Sequence, residues 1–91
     1  MTRKSASTQE REHGERLGRL IAESRLLHEY SAPELAQASG VSIDALRSLE
    51  NGRVPTPGFL TIARLAESLD LSLDRLHADA SEGPRDRAGG A

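Results

Sequence analysis

The chain has 91 residues, enough for one small domain and near the size at which a single core is only marginally stable. It has no cysteine, which excludes a disulfide framework and a thiolate metal site, and no apolar run long enough to span a membrane. A formal charge of −2 gives no strongly basic background for a polyanionic partner, so where the charges sit matters more than their sum.

Apolar and polar residues nowhere alternate with period two for long; the helical period recurs instead. Residues 1–9 are polar and read as a flexible arm. The first helix is expected over about 10–28, where Leu17, Leu20, Ile21, Ser24 and Leu27 trace one face. Gly14 and Gly18 lie within it, and either weaken its start or allow close packing. His28, near its end, suits the negative end of the helix dipole.

Ser31 opens a second helix, expected over 32–38. Its hydroxyl can cap, Glu34 can reach back, and Tyr30 can pack on Leu35. Ala32 precedes Pro33, and a residue before proline resists helical geometry, which pushes this start one residue later. Val41-Ser42 stands at the same offset before Leu46 and starts a third helix over 42–50. Gly40 supplies the turn before it, and Asn51-Gly52 an αL-type stop after it.

Thr56 as cap and Pro57 at the first helical position predict a fourth helix over 57–69. Leu71-Ser72 before Leu76 predicts a fifth over 73–78. Residues 79–91, rich in Gly, Asp and Arg, offer too little apolar surface to offset the entropy of ordering them, and read as a disordered tail. The expectation is therefore an all-α, compact five-helix domain over 10–78 with flexible ends. No internal repeat is evident. The N-terminus has basic residues but no apolar segment of a secretory signal, so a cytoplasmic chain with no membrane partner is expected.

Ser31 to Gly52 gives two short helices joined by a tight glycine turn. That is the layout of a helix-turn-helix, whose second helix can lie in the DNA major groove. Ala36 must be small where the two helices cross. Val41, Leu46 and Leu49 are spaced to face inward, leaving Ile43, Asp44, Arg47 and Ser48 on the free face.

From Leu17 to Leu76 the chain resembles the phage-repressor and Cro type of helix-turn-helix, the xenobiotic-response-element family. The matching residues are Leu35-Ala36, Gly40-Val41-Ser42, Leu46, Leu49-Glu50-Asn51-Gly52, Pro55, and Leu65-Ala66 through Leu69 to Leu73. The resemblance implies a lambda-repressor-like fold and a sequence-specific DNA-binding transcriptional regulator, a repressor, on a palindromic site. It also implies a partly buried ion pair between Arg25 and Glu50; the competing reading is two solvated side chains.

On that footing, base contacts are expected from Ile43, Asp44, Arg47 and Ser48. Arg47 can fork onto guanine, Asp44 can accept from the cytosine amino group, and Ile43 can cover a thymine methyl. Phosphate contacts are expected from the amides near Ala32 to Glu34 and from Ser42, Asn51 and Arg53. The alternatives are local. Arg47 can be solvated or pair with Asp44 or Glu50, Ile43 can be half-buried core, and Asp44 can serve the helix dipole. Many family members carry glutamine or basic residues where this chain has Ala32, Ile43 and Asp44. An acid in the groove repels phosphates and rewards only the right cytosine.

Phe59 is expected to pack inward and Leu60 to lie outward; exposed together, Phe59 and Leu60 would be core edge or a two-fold interface. A homodimer, at least on DNA, fits half-sites roughly 34 Å apart. No catalysis, metal, cofactor or small-molecule substrate is expected. His13, His28 and His77 are scattered, His13 and His77 read as surface side chains, and no effector domain accompanies the motif. The rival class is a protein-binding adaptor, or an antitoxin that joins an operator to a protein partner. Arg3-Lys4 and Arg85-Asp-Arg87 read as solvated ends.

Overall fold

The computed structural model of the chain describes residues 7–82. Among them five helices follow in order: α1 (Thr8–Leu27), α2 (Ala32–Ser39), α3 (Ile43–Glu50), α4 (Phe59–Ser68) and α5 (Leu73–Glu82). Serines set four of the starts. The Ser7, Ser31, Ser42 and Ser72 hydroxyls accept from the amides of Glu10, Glu34, Ala45 and Arg75. At α1 and α2 the glutamate returns the bond to the serine amide, completing a capping box.

Several boundaries differ from the sequence expectation, each for a local reason. The Ser7–Glu10 box brings α1 forward to Thr8, so part of the expected arm is helix. Arg3-Lys4 and Arg85-Asp-Arg87 lie outside the described residues. α2 begins at Ala32 despite Pro33, because proline stands at the helix entrance, where its missing amide proton is no loss. α4 begins at Phe59 after Gly58, and Thr56 does not cap it. Residues 54–55 are pressed along α1 at Gly14, and Gly58, in extended geometry, is the residue that precedes α4. α5 runs beyond 78: Ala80 is fully buried against the core, and the Arg16 guanidinium donates to its carbonyl.

Three helices end alike. The Glu29, Gly52 and Asp70 amides donate to the carbonyls of Leu26, Leu49 and Glu67, and the Tyr30, Arg53 and Leu71 amides to those of Arg25, Ser48 and Ala66. This is the Schellman ending, which places the middle residue in left-handed geometry. Gly52 takes it at φ 75° without side-chain cost. Glu29 at 61° and Asp70 at 56° do so against the preference of a residue with a Cβ.

Ile21, Leu35, Leu46, Leu49, Leu65 and Leu69 are sealed from solvent at the centre. α1 packs on α3 and α5, while α2 packs on α3 and α4. Leu17, Ile21 and Ser24 are buried as the α1 periodicity predicts, but Leu27 is 83% exposed because the apolar face of α1 loses its cover at the last turn. Gly14 and Gly18 allow close packing. A Cβ on Gly18 would stand 2.0 Å from the Leu49 carbonyl oxygen, and one on Gly14 would stand 2.6 Å from that of Val54. Backbone meets backbone at both.

His77 is exposed, as expected, but His13 is half-buried and the two are not separate. Their rings lie 5.8 Å apart across the α1–α5 contact, and His13 Nε2 is buried without a hydrogen-bond partner among the described residues. Burial first, then His77, then Arg16 hold the His13 pKa below its ordinary value. Among the described residues, no three histidine or acidic side chains gather as a metal site, and no helix is long and apolar enough to cross a membrane.

Two outcomes follow. Gly18→Ala should lower the unfolding free energy by more than about 2 kcal/mol, since the obstacle is main chain and cannot rotate away; a loss within the error of urea titration would contradict the contact. For His13, the stability held by the neutral ring is complete above the unfolded pKa near 6.5, and is lost as pH falls through that value toward the lower folded one. Wild type should therefore lose more stability on acidification than His13→Gln, and equal pH slopes would count against the buried ring.

Candidate nucleic-acid interface

The α2–turn–α3 unit is built inward from Leu35, Ala36, Val41, Leu46 and Leu49, all buried. The intervals from Val41 to Leu46 and Leu49 point these side chains at α1 and α2, so the opposite side of α3 faces out. Gly40 makes the turn at φ 80°. The Ser39 hydroxyl braces it, accepting from the Val41 amide at 3.2 Å and donating to the Ala36 carbonyl at 3.4 Å. Sequence reasoning missed this brace, although a serine just before the turn glycine is the available signal.

Asp44, Arg47 and Asn51 are exposed along one edge of α3, and Arg53 is exposed just beyond it. Ser48 is half-buried. Ile43 is half-buried too and packs against the core, so only part of its side chain is free. Ala45, which sequence reasoning passed over, is exposed beside Asp44. Ser42 is exposed, and its oxygen is committed to the Ala45 amide at 3.1 Å, leaving the hydroxyl proton as its free donor.

The start of α2 is less open to an anion than the sequence implies. Pro33 has no amide proton, the Glu34 amide is held by Ser31 at 3.1 Å, and the Glu34 carboxylate accepts from the Ser31 amide at 2.8 Å. Among the amides from Ala32 to Glu34, that of Ala32 alone remains for an anion, and a carboxylate already occupies the positive helix end.

A two-pronged ion pair anchors the far end of α3. Arg25 Nε lies 2.8 Å from Glu50 Oε2, and its Nη2 lies 3.0 Å from Oε1. Both side chains are largely buried. The third guanidinium nitrogen donates to the Tyr30 carbonyl at 2.9 Å. One side chain thus ties together α1, the Schellman ending after it, and the last residue of α3. Hydrogen bonding to Glu50 raises the Arg25 pKa against the opposing effect of burial.

Phe59 does not pack inward: it is 73% exposed, at the first residue of an α4 that starts two residues later than expected. Leu60 is exposed beside it. These two lie at the start of α4, apart from the α3 edge in sequence and in packing partners.

Comparison with known proteins bears on this unit. Residues 16–78 match a family model described as a helix-turn-helix domain. The chain is also 36% identical over 81 residues to the "ImmF control region 10 kDa protein" of Bacillus phage phi105, a match that covers 85% of this chain and 89% of that protein.

Removing Arg25 leaves the Glu50 carboxylate desolvated without its partner. Arg25→Ala should cost about 3 kcal/mol or more of folding stability. Lysine cannot reproduce the fork, so Arg25→Lys should recover only part of the loss. Chemical denaturation of both variants measures this; a fully stable Arg25→Ala protein would mean the pair is solvated.

Proposed function

This chain belongs to the helix-turn-helix family of the phage-repressor, xenobiotic-response-element type, and from that premise we propose that it is a sequence-specific DNA-binding transcriptional regulator acting as a repressor. The observation that carries this reading is the exposed Asp44–Arg47–Asn51 edge of α3 on a helix fixed at its end by main-chain contact and an ion pair. A rigid helix with its polar edge free is what the major groove accepts. The phage relative is named as a control-region protein, which accords with a regulatory role.

In this reading Arg47 forks onto guanine, Asp44 accepts from the cytosine amino group, Ser48 bonds either base edge, and the free part of Ile43 covers a thymine methyl. Ser42, Asn51 and Arg53 position the duplex through its phosphates, with the Ala32 amide as the one contribution from the start of α2. Asp44 and Glu34 repel phosphates, so the complex is weak on unmatched DNA and gains from rejecting wrong sequences. No other base-reading element is needed for a small module of this kind, though its limited footprint favours two copies on a palindromic site.

The acidic side chains on the same surface favour one rival, an adaptor or antitoxin whose partner is a protein. Binding to a pool of short duplexes, read against salt, separates the two. A DNA reader loses affinity steeply between about 50 and 200 mM salt. Arg47→Ala should then broaden the selected sequences, whereas Arg53→Ala should weaken all sequences alike and reduce the salt slope by about 1. Absence of duplex binding at low salt would refute the DNA reading and leave the adaptor.

A further inference from the structure

We infer that the concavity between α1, α5 and the start of α4 binds a small aromatic carboxylate, its ring against the apolar walls and its charge at the corner shared by Arg16, His13 and His77. The concavity has a volume of about 330 Å³, at the lower end of the range of small-molecule sites. Leu17, Pro57, Ile62 and Leu76 supply its walls, and the exposed Phe59 offers a ring face for stacking. It is lined by no Asp, Glu, Lys or Arg, so an apolar body enters without stripping water from a permanent charge.

The polar edge selects the charge of the occupant. His13 on α1 and His77 on α5 both line the concavity, with ring centroids 5.8 Å apart. One turn further along each helix, the Arg16 guanidinium donates through Nε to the Ala80 carbonyl, so the two contacts are successive rungs of one α1–α5 seam. Among the described residues no hydrogen bond occupies the terminal nitrogens of Arg16, and His13 Nε2 is buried without a partner. Polar atoms left unpaired beside an apolar cavity favour a ligand that brings the missing partner. The acids of the packed elements do not fill this place. Glu10, one turn before His13, accepts from the Ser7 amide, and Asp74 of α5 lines a different concavity with Glu67. The segment before α4, and α4 itself, present no charged side chain to the cavity. His13 is held toward its neutral form by burial, His77 and Arg16, and an anion at this corner offsets both charge repulsions. A neutral ligand leaves the repulsion in place, and a cation, metal ions included, adds to it.

The site uses none of the side chains assigned to the duplex, so it stands apart from the DNA reading and is measured without DNA. Naphthoate titrated into the full chain, up to about 5 mM, tests it by amide and imidazole chemical shifts in the range where weak ligands saturate. Saturable binding is expected, with shifts centred on His13, Phe59 and His77. Because the carboxylate favours the protonated imidazoles, binding should be about fivefold tighter at about pH 6 than at about pH 8. Naphthalenemethanol, the same ring without the charge, should bind about fivefold more weakly than naphthoate at the lower pH. His77→Gln alters an exposed position, and circular dichroism checks that it is folded. This variant should bind naphthoate about threefold more weakly at the lower pH and show a flatter pH dependence. Failure of naphthoate to saturate at either pH, equal binding of the acid and the alcohol, or a His77→Gln protein that binds like wild type overturns the inference. Each of these outcomes leaves the DNA reading where it stood.

Discussion

The contact between Gly18 of α1 and the Leu49 carbonyl of α3 is the constraint on which the arrangement rests. A helix that must present one edge to an external surface has to be fixed from behind. Here the fixing is main chain against main chain, with no side chain to act as a compressible spacer. One turn earlier, Gly14 seats the chain that leaves α3, so helix and exit path are placed together. Arg25 adds direction to this contact. Its fork on Glu50 sets the rotation of α3 about its axis, and its bond to Tyr30 ties that rotation to the exit of α1.

With the back of α3 settled, the chemistry of its front follows from few groups. Arg47 and Arg53 offer cationic donors, while Asp44 and the Glu34 carboxylate keep the local field from becoming uniformly positive. A surface of this kind gains little from nonspecific attraction to polyphosphate. On the proposed reading, discrimination among duplexes would depend on direct geometric fit, which a rigid scaffold favours.

Much of this was legible in the sequence, because the signals are local. The spacing of serine caps, the αL glycines and the inward triad of Val41, Leu46 and Leu49 each report on a few neighbouring residues. The misses share the opposite property. Gly14 and Gly18 gain meaning only from Leu49 and Val54, far along the chain. His13 and His77 look unrelated until α5 folds back on α1. α4 starts two residues past the expected Pro57, with Gly58 and not Thr56 before it, while residues 54–55 are held against Gly14 of α1. The composition of the residues after Ala80 dilutes the helical signal of Leu73, Leu76 and Ala80. The capping box at α2 is legible in the sequence, and a carboxylate that closes its own helix also occupies the place an anion would take.

The Schellman endings have a further meaning for how this protein can change. α3, behind which everything is registered, ends on glycine and is already relaxed. α1 and α4 end on Glu29 and Asp70, each carrying conformational tension that a glycine would relieve. Asp70 ends α4, whereas Glu29 stands in the ending that Arg25 ties to Glu50 of α3. If the exposed edge of α3 reads DNA as proposed, replacements on it that loosen the fold can be compensated at Asp70, while a change at Glu29 couples to α3 through Arg25. A scaffold with such latent slack can diversify what it recognises while its architecture stays put.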